Sequence, residues 1–110
     1  MEQLSKEADK LICILYKEYL ERIKKSISKR NSKQFSGSEY IHKNLISKWS
    51  IEDIDEVCRE LDKKDYIECL YGGGSVQHFY LLDNVIVYME NRFKNGLKEV
   101  METVQLFKLW

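Results

Sequence analysis

The sequence predicts a mainly α-helical domain with one small β-hairpin and a long helix at its C-terminus. Three observations carry this. Apolar residues recur at i, i+3, i+4, i+7 spacing in separate stretches along the chain. Two runs rich in β-branched and aromatic residues flank Gly72-Gly73-Gly74. A heptad of apolar residues runs through the last quarter. At 110 residues the chain is one domain. Hydrophobic residues at 44% and charged residues at 33% place it among globular rather than disordered sequences. A chain of this size buries roughly two thirds of its unfolded surface, enough for one core without a metal or disulfide staple.

The first helix is expected over residues 5–28. Leu4, Ala8, Leu11, Ile12, Leu15, Tyr19, Ile23 and Ile27 form its stripe, and Cys13, Ile14 and Tyr16 widen the middle. That middle should be covered on two sides, by the core and by a further helix from this chain or a partner. The character changes at Arg22. Arg22, Lys24, Lys25, Lys29, Arg30 and Lys33 follow with no acid between Glu21 and Glu39. SKRNSKQFSGS reads as an exposed loop. It is either a phosphate-contacting basic arm or a solvated helix end with cations suited to the helix dipole.

A second helix is expected at roughly 38–48, started by Ser36 with Glu39 or by Ser38 alone. Tyr40, Ile41, Leu45 and Ile46 face inward, and His42, Lys43, Asn44 and Lys48 outward. A connection of only Trp49 and Ser50 leads to a third helix, as in a helix-turn-helix pair. Ser50 is the expected N-cap, with Asp53 as its capping-box-like partner. Trp49 and Ile54 have the spacing of a hydrophobic staple. Ile51, Ile54, Val57, Cys58 and Leu61 form the stripe, and Lys63-Lys64 close the last turn.

Residues 66–71 and 75–82 read as the hairpin strands, joined by glycines that permit positive φ. Asp83 or Asn84 should cap a last helix at about 84–109. Its seam comprises Ile86, Met89, Phe93, Leu97, Val100, Met101, Val104 and Phe107. A helix of about 26 residues runs some 39 Å, longer than one small domain covers, so the expected role of the seam is a dimer interface. Packing on the chain's own first helix is the alternative.

Chemistry is sparse. Cys13, Cys58 and Cys69 are scattered singly, with no CxxC pair, and read as reduced core residues of a cytoplasmic protein. His42 and His78 are too few and too separated for a metal site. No Gly-rich phosphate loop, Ser/His/Asp grouping or other convergent catalytic set is visible, so neither an enzyme nor a cofactor is expected. The longest apolar run, Leu11 to Tyr16, is too short to span a bilayer.

The order helix, helix, helix, strand, glycine turn, strand, long helix resembles the winged helix-turn-helix superfamily. IEDIDEVCRELDKKDYIECL looks like the recognition helix and first wing strand of such domains, and HFYLLDNVIVYMENR like the second wing strand entering a terminal helix. The long terminal helix is similar to dimeric regulators of the PadR type and to the replication terminator protein. YMENRFKNGLKEV is similar to small bacterial winged-helix proteins. The resemblance covers nearly the whole chain. It implies that the third helix would enter the major groove through Ile51 to Asp55, Glu56 and Arg59.

The charge pattern departs from that family. Residues 50–68 hold eight acids against three bases, a net of −5, whereas residues 22–48 hold eight bases against Glu39, a net of +7. Two functions are therefore expected. One is a dimeric transcription regulator binding double-stranded DNA, with phosphates held by Arg22, Lys24, Lys25, Lys29, Arg30, Lys33, Lys43 and Lys48 and bases met by Asn44, Arg59 and the first turn of the third helix. The other is a protein-interaction domain that docks a partner on the acidic third helix or the C-terminal seam.

Overall fold

The computed structural model describes residues 3–109. Its elements in chain order are α1 (Lys6–Lys24), α2 (Lys29–Ser32), β1 (Gln34–Ser36), α3 (Ser38–Asn44), α4 (Ile51–Lys63), β2 (Ile67–Gly72), β3 (Ser75–Leu81), α5 (Asp83–Arg92) and α6 (Leu97–Gln105). The fold is mainly helical with a three-stranded antiparallel sheet of order β1-β3-β2.

α1 begins where Ser5 accepts a hydrogen bond from the Ala8 N–H. It stops four residues before the expected end. Ser26 turns left-handed at φ 66°, and Ser28 is extended and caps α2 through the Asn31 N–H. Serines compete with the helix for their own backbone, which favours such a break. The segment expected as an exposed loop is thus a one-turn helix followed by a strand. Ser32 and Phe35 are buried. Phe35 stacks on its cross-strand partner Phe79, ring centroids 5.1 Å apart, a contact worth about 1 kcal/mol beyond burial.

Gly37 links β1 to α3 under the hairpin. A Cβ there would lie 1.8 Å from the Val76 carbonyl oxygen. α3 ends at Asn44 rather than near residue 48. The chain then turns so that Ile46 is buried, and His42 Nδ1 lies 2.7 Å from the Trp49 carbonyl. α4 starts as expected, with the Asp53 N–H donating to Ser50 Oγ at 3.1 Å. Its buried stripe is narrower than expected: Ile54, Cys58 and Leu61 are buried and Val57 half-buried, while Ile51 faces solvent. The hairpin turns at Gly73 and Gly74, with φ of 60° and 83°.

The long terminal helix does not form. α5 ends at Arg92, Phe93 adopts ψ 71°, and Gly96 turns at φ 73° before α6. Nor do Asp83 or Asn84 cap α5: its N-cap position is Leu82, without a side-chain bond. The break has a tertiary cause. It folds α6 back along α1, so each short helix buries its apolar side in one core. Ile86, Met89, Phe93, Val100 and Val104 all lie in that core. Leu97 and Phe107 are half-buried, and of the expected seam only Met101 is exposed. The widened middle of α1 is thereby covered by its own chain. No helix among the described residues is long and apolar enough to cross a membrane.

Candidate nucleic-acid interface

The ten residues expected to meet DNA separate into two groups. Arg22, Lys33 and Arg59 hold the fold together. Arg22 Nη1 donates to the carbonyls of Ser32 (3.3 Å) and Gln34 (2.6 Å), and its guanidinium lies 4.2 Å from the Phe35 ring centroid. It also pairs with Glu18 at 3.5 Å. Lys33 Nζ is 2.6 Å from Asp83 Oδ1. Arg59 Nε donates to Asp55 Oδ2 at 2.8 Å, and its Nη2 to the Gly74 carbonyl at 2.8 Å. Its guanidinium sits 4.7 Å from the Tyr71 ring centroid. An arginine so committed to the hairpin is a poor reader of bases.

The second group is exposed. Lys24, Lys25, Lys29, Arg30, Lys43 and Lys48 all face solvent, and none has a side-chain hydrogen bond or ion pair with the described residues. Asn44 is exposed and donates to the Tyr40 carbonyl at 3.1 Å. Lys24, Lys25, Lys29 and Arg30 form one basic corner, where α1 ends and α2 begins. Arg22 joins that corner to α3, its Nη2 reaching the Tyr40 hydroxyl at 3.4 Å. A recess beside the corner is lined by Arg30, Lys33, Gln34, Tyr80 and Asp83 among others.

The acids of α4 divide in the same way. Asp55 accepts from Ser38 Oγ (2.8 Å) and the Val76 N–H (2.7 Å) as well as from Arg59. Burial works to raise its pKa. The Val76, Arg59 and Ser38 bonds and the Arg59 charge more than offset that, so the carboxyl sits below its usual range. Glu60 ties α4 to the start of α1, accepting from the Ser5 N–H at 2.8 Å and the Ser5 hydroxyl at 2.7 Å. Burial again opposes ionisation there, and these bonds with Lys64 bring the net pKa down. Asp62 accepts from the Tyr71 hydroxyl. Glu52, Asp53 and Glu56 remain exposed, without a side-chain partner among the described residues. α4 therefore carries three exposed carboxylates without a hydrogen bond or ion pair among the described residues, with Glu56 in the field of Arg59, an exposed Lys63 in its last turn and, at its first position, Ile51.

The roles of Asp55, Glu60 and Asp62 as ties between elements lie beyond the sequence reading. The i, i+4 spacings of Asp55 with Arg59 and of Glu60 with Lys64 are the local signals for two of them. Among the described residues no group of three or more His, Cys, Asp or Glu is placed to hold a metal ion. No protein-family model matches this chain, and no curated protein or solved structure is significantly similar to it.

Proposed function

We propose that this chain is a DNA-binding protein of the winged helix-turn-helix type. The observation that carries the proposal is the basic corner. Lys24, Lys25, Lys29 and Arg30 are four exposed cations, without an ion pair among the described residues, where α1 gives way to α2. Phosphate binding by such a cluster releases condensed counterions from the duplex, a driving force that needs no net positive charge on the protein as a whole. The arrangement of elements supports the reading. α3 and α4 are joined by residues 45–50, and the hairpin of β2 and β3 packs on α4. Such binding would serve transcription regulation.

The test is fluorescence anisotropy of a labelled duplex of arbitrary sequence, titrated with protein at several salt concentrations. Affinity should fall with log salt at a slope of about −4 or steeper, as four or more phosphate contacts require. Absence of binding at low salt would refute the proposal.

A second reading has its own support. Trp49 and Val57, both half-buried, lie in an open groove on α4 whose rim carries Asp53, Glu56 and Glu60 together with Arg59, Lys63 and Lys64. An apolar floor with a rim of both charges suits a segment of another protein that carries both charges. Retention of partner binding in Asp53→Asn/Glu56→Gln would count against it.

A further inference from the structure

The free charges of opposite sign are anchored at opposite ends of one strand. α4 is tied to the start of β3 through Asp55 and the Val76 N–H. The end of α2 is tied to the far end of β3, where the Leu81 N–H donates to the Lys33 carbonyl at 2.9 Å. Five residues separate these anchors, about 17 Å at 3.4 Å per residue. That exceeds the Debye length of about 10 Å at 0.1 M salt. The backbone anchors of the two charged groups thus lie further apart than the Debye length, and salt weakens the field of Glu52, Asp53 and Glu56 at the corner. The cations there can attract a polyanion although the chain as a whole has a formal charge of zero.

Resting on the DNA-binding reading above, we infer that the duplex is held by its phosphates on the α1–α2 corner and that α4 faces away from it. Three features carry this. Glu52, Asp53 and Glu56 would meet phosphates at close range if the first turns of the helix entered a groove, and the exposed cation Lys63 lies at the opposite end of α4. Arg59, the cation on its middle turn, is committed to Asp55 and Gly74. The recess beside the corner is lined by Arg30, Gln34 and Tyr80, whose side chains can donate to phosphodiester oxygens, and by one acid, Asp83. Lys33 in the same recess stays on Asp83. Contacts of this kind position a duplex and carry little sequence information. The bound form is thus duplex DNA gripped through its backbone, with weak base preference.

The experiment compares three proteins on one duplex of about 20 base pairs, by anisotropy from 50 to 200 mM salt. They are the wild type, Lys29→Glu/Arg30→Glu and Glu52→Gln/Glu56→Gln. The corner variant should bind at least about tenfold more weakly, with a salt slope shallower by about 2, since each lost phosphate contact removes roughly 0.9. The α4 variant should stay within about twofold of wild type. The assignment is overturned if the corner variant keeps wild-type affinity, or if the α4 variant tightens binding by about tenfold. A single strand of equal length that binds more tightly than the duplex also overturns it. Circular dichroism melts of both variants establish that they are folded. Lys24→Gln/Lys25→Gln, on the other side of the corner, repeats the test with smaller changes. A wild type that binds no duplex at 50 mM salt is a different failure, of the DNA-binding reading itself.

Discussion

Asp55 Oδ1 accepts from the Val76 N–H and from the Ser38 hydroxyl at once, at 2.7 and 2.8 Å. One carboxylate oxygen in the second turn of α4 thus fixes both the start of α3 and the strand β3 that leaves the hairpin turn. The other oxygen holds Arg59, which reaches on to the Gly74 carbonyl and over the Tyr71 ring. The turn end of the hairpin is fastened to α4 through these bonds, and Tyr71 to Asp62 adds another.

The first prediction concerns pH. Asp55 and Glu60 both have folded-state pKa values below their ordinary ones. Their bonds therefore stabilise the fold fully above the unfolded values, near 4, and this stabilisation is lost as pH falls through the lower folded values. Urea unfolding of the wild type should show stability declining below about pH 4.5. Asp55→Asn should be less stable at pH 7 and lose less on acidification. Parallel acid curves for the two proteins would exclude Asp55 as the source. Asp55→Ala leaves the Val76 N–H without its partner, and should cost about 2–3 kcal/mol at pH 7.

A second prediction separates shape from backbone conformation. Gly37 has an ordinary φ of −81°, so only space forbids a side chain there. A Cβ would sit 1.8 Å from the Val76 carbonyl oxygen and 2.6 Å from its carbon, both backbone atoms of β3. Gly73 is the converse case, with φ +60° and nothing within 4 Å of its Cβ position. Gly73→Ala should cost about 1 kcal/mol for the left-handed conformation. Gly37→Ala should cost clearly more, because β1 and β3 must separate to admit the methyl group. Equal melting temperatures for the two variants would contradict this ranking.

Those two glycines also show what the sequence could and could not reveal. The hairpin turn was legible, because three glycines between strand-like runs admit few other readings. So was the start of α4, where Ser50 and the stripe behind it are local signals. β1 was not, since a three-residue strand exists only through its pairing with β3, some 45 residues away in the chain. The break of the terminal helix was half-legible. Gly96 marked a cost of about 1 kcal/mol, yet the heptad ran on across it. What decides the matter is that α1 offers α6 an apolar face. The site was read from charge alone. The free cations at the corner were found this way, but so were Arg22, Lys33 and Arg59, whose partners become visible only in three dimensions.

Thiol chemistry supplies a third prediction. Cys13 and Cys69 have pKa values pushed up to about 12, primarily by burial, and burial likewise pushes the Cys58 thiol up. The thiolate is the reactive form, so native protein should leave an aromatic disulfide reagent almost unreacted at pH 8. Three thiols should appear on adding denaturant. Rapid titration of one thiol in the native protein would show that a cysteine is open to solvent.

The fourth prediction tests where the C-terminal apolar residues are spent. Phe93 is 5% exposed and stacks against Tyr16 of α1, ring centroids 6.4 Å apart. It is a core residue of this chain and sits at the end of α5, where the backbone turns toward α6. Phe93→Ala should therefore cost about 3–5 kcal/mol of folding stability. The loss should be independent of protein concentration, because the contacts removed lie within one chain. Met101→Ala on the exposed side of α6 should cost far less, since its side chain is 44% exposed. Chemical denaturation at two concentrations a hundredfold apart, with light scattering on the same samples, distinguishes the outcomes. If Phe93→Ala keeps its stability per chain and converts a wild-type dimer to monomers, the residue belongs to an interface and its placement in the core is wrong. A concentration-independent loss of the expected size places α5 and α6 within the monomer's core, and leaves Val87, Tyr88, Met101 and Leu106 as the exposed apolar side chains of this region.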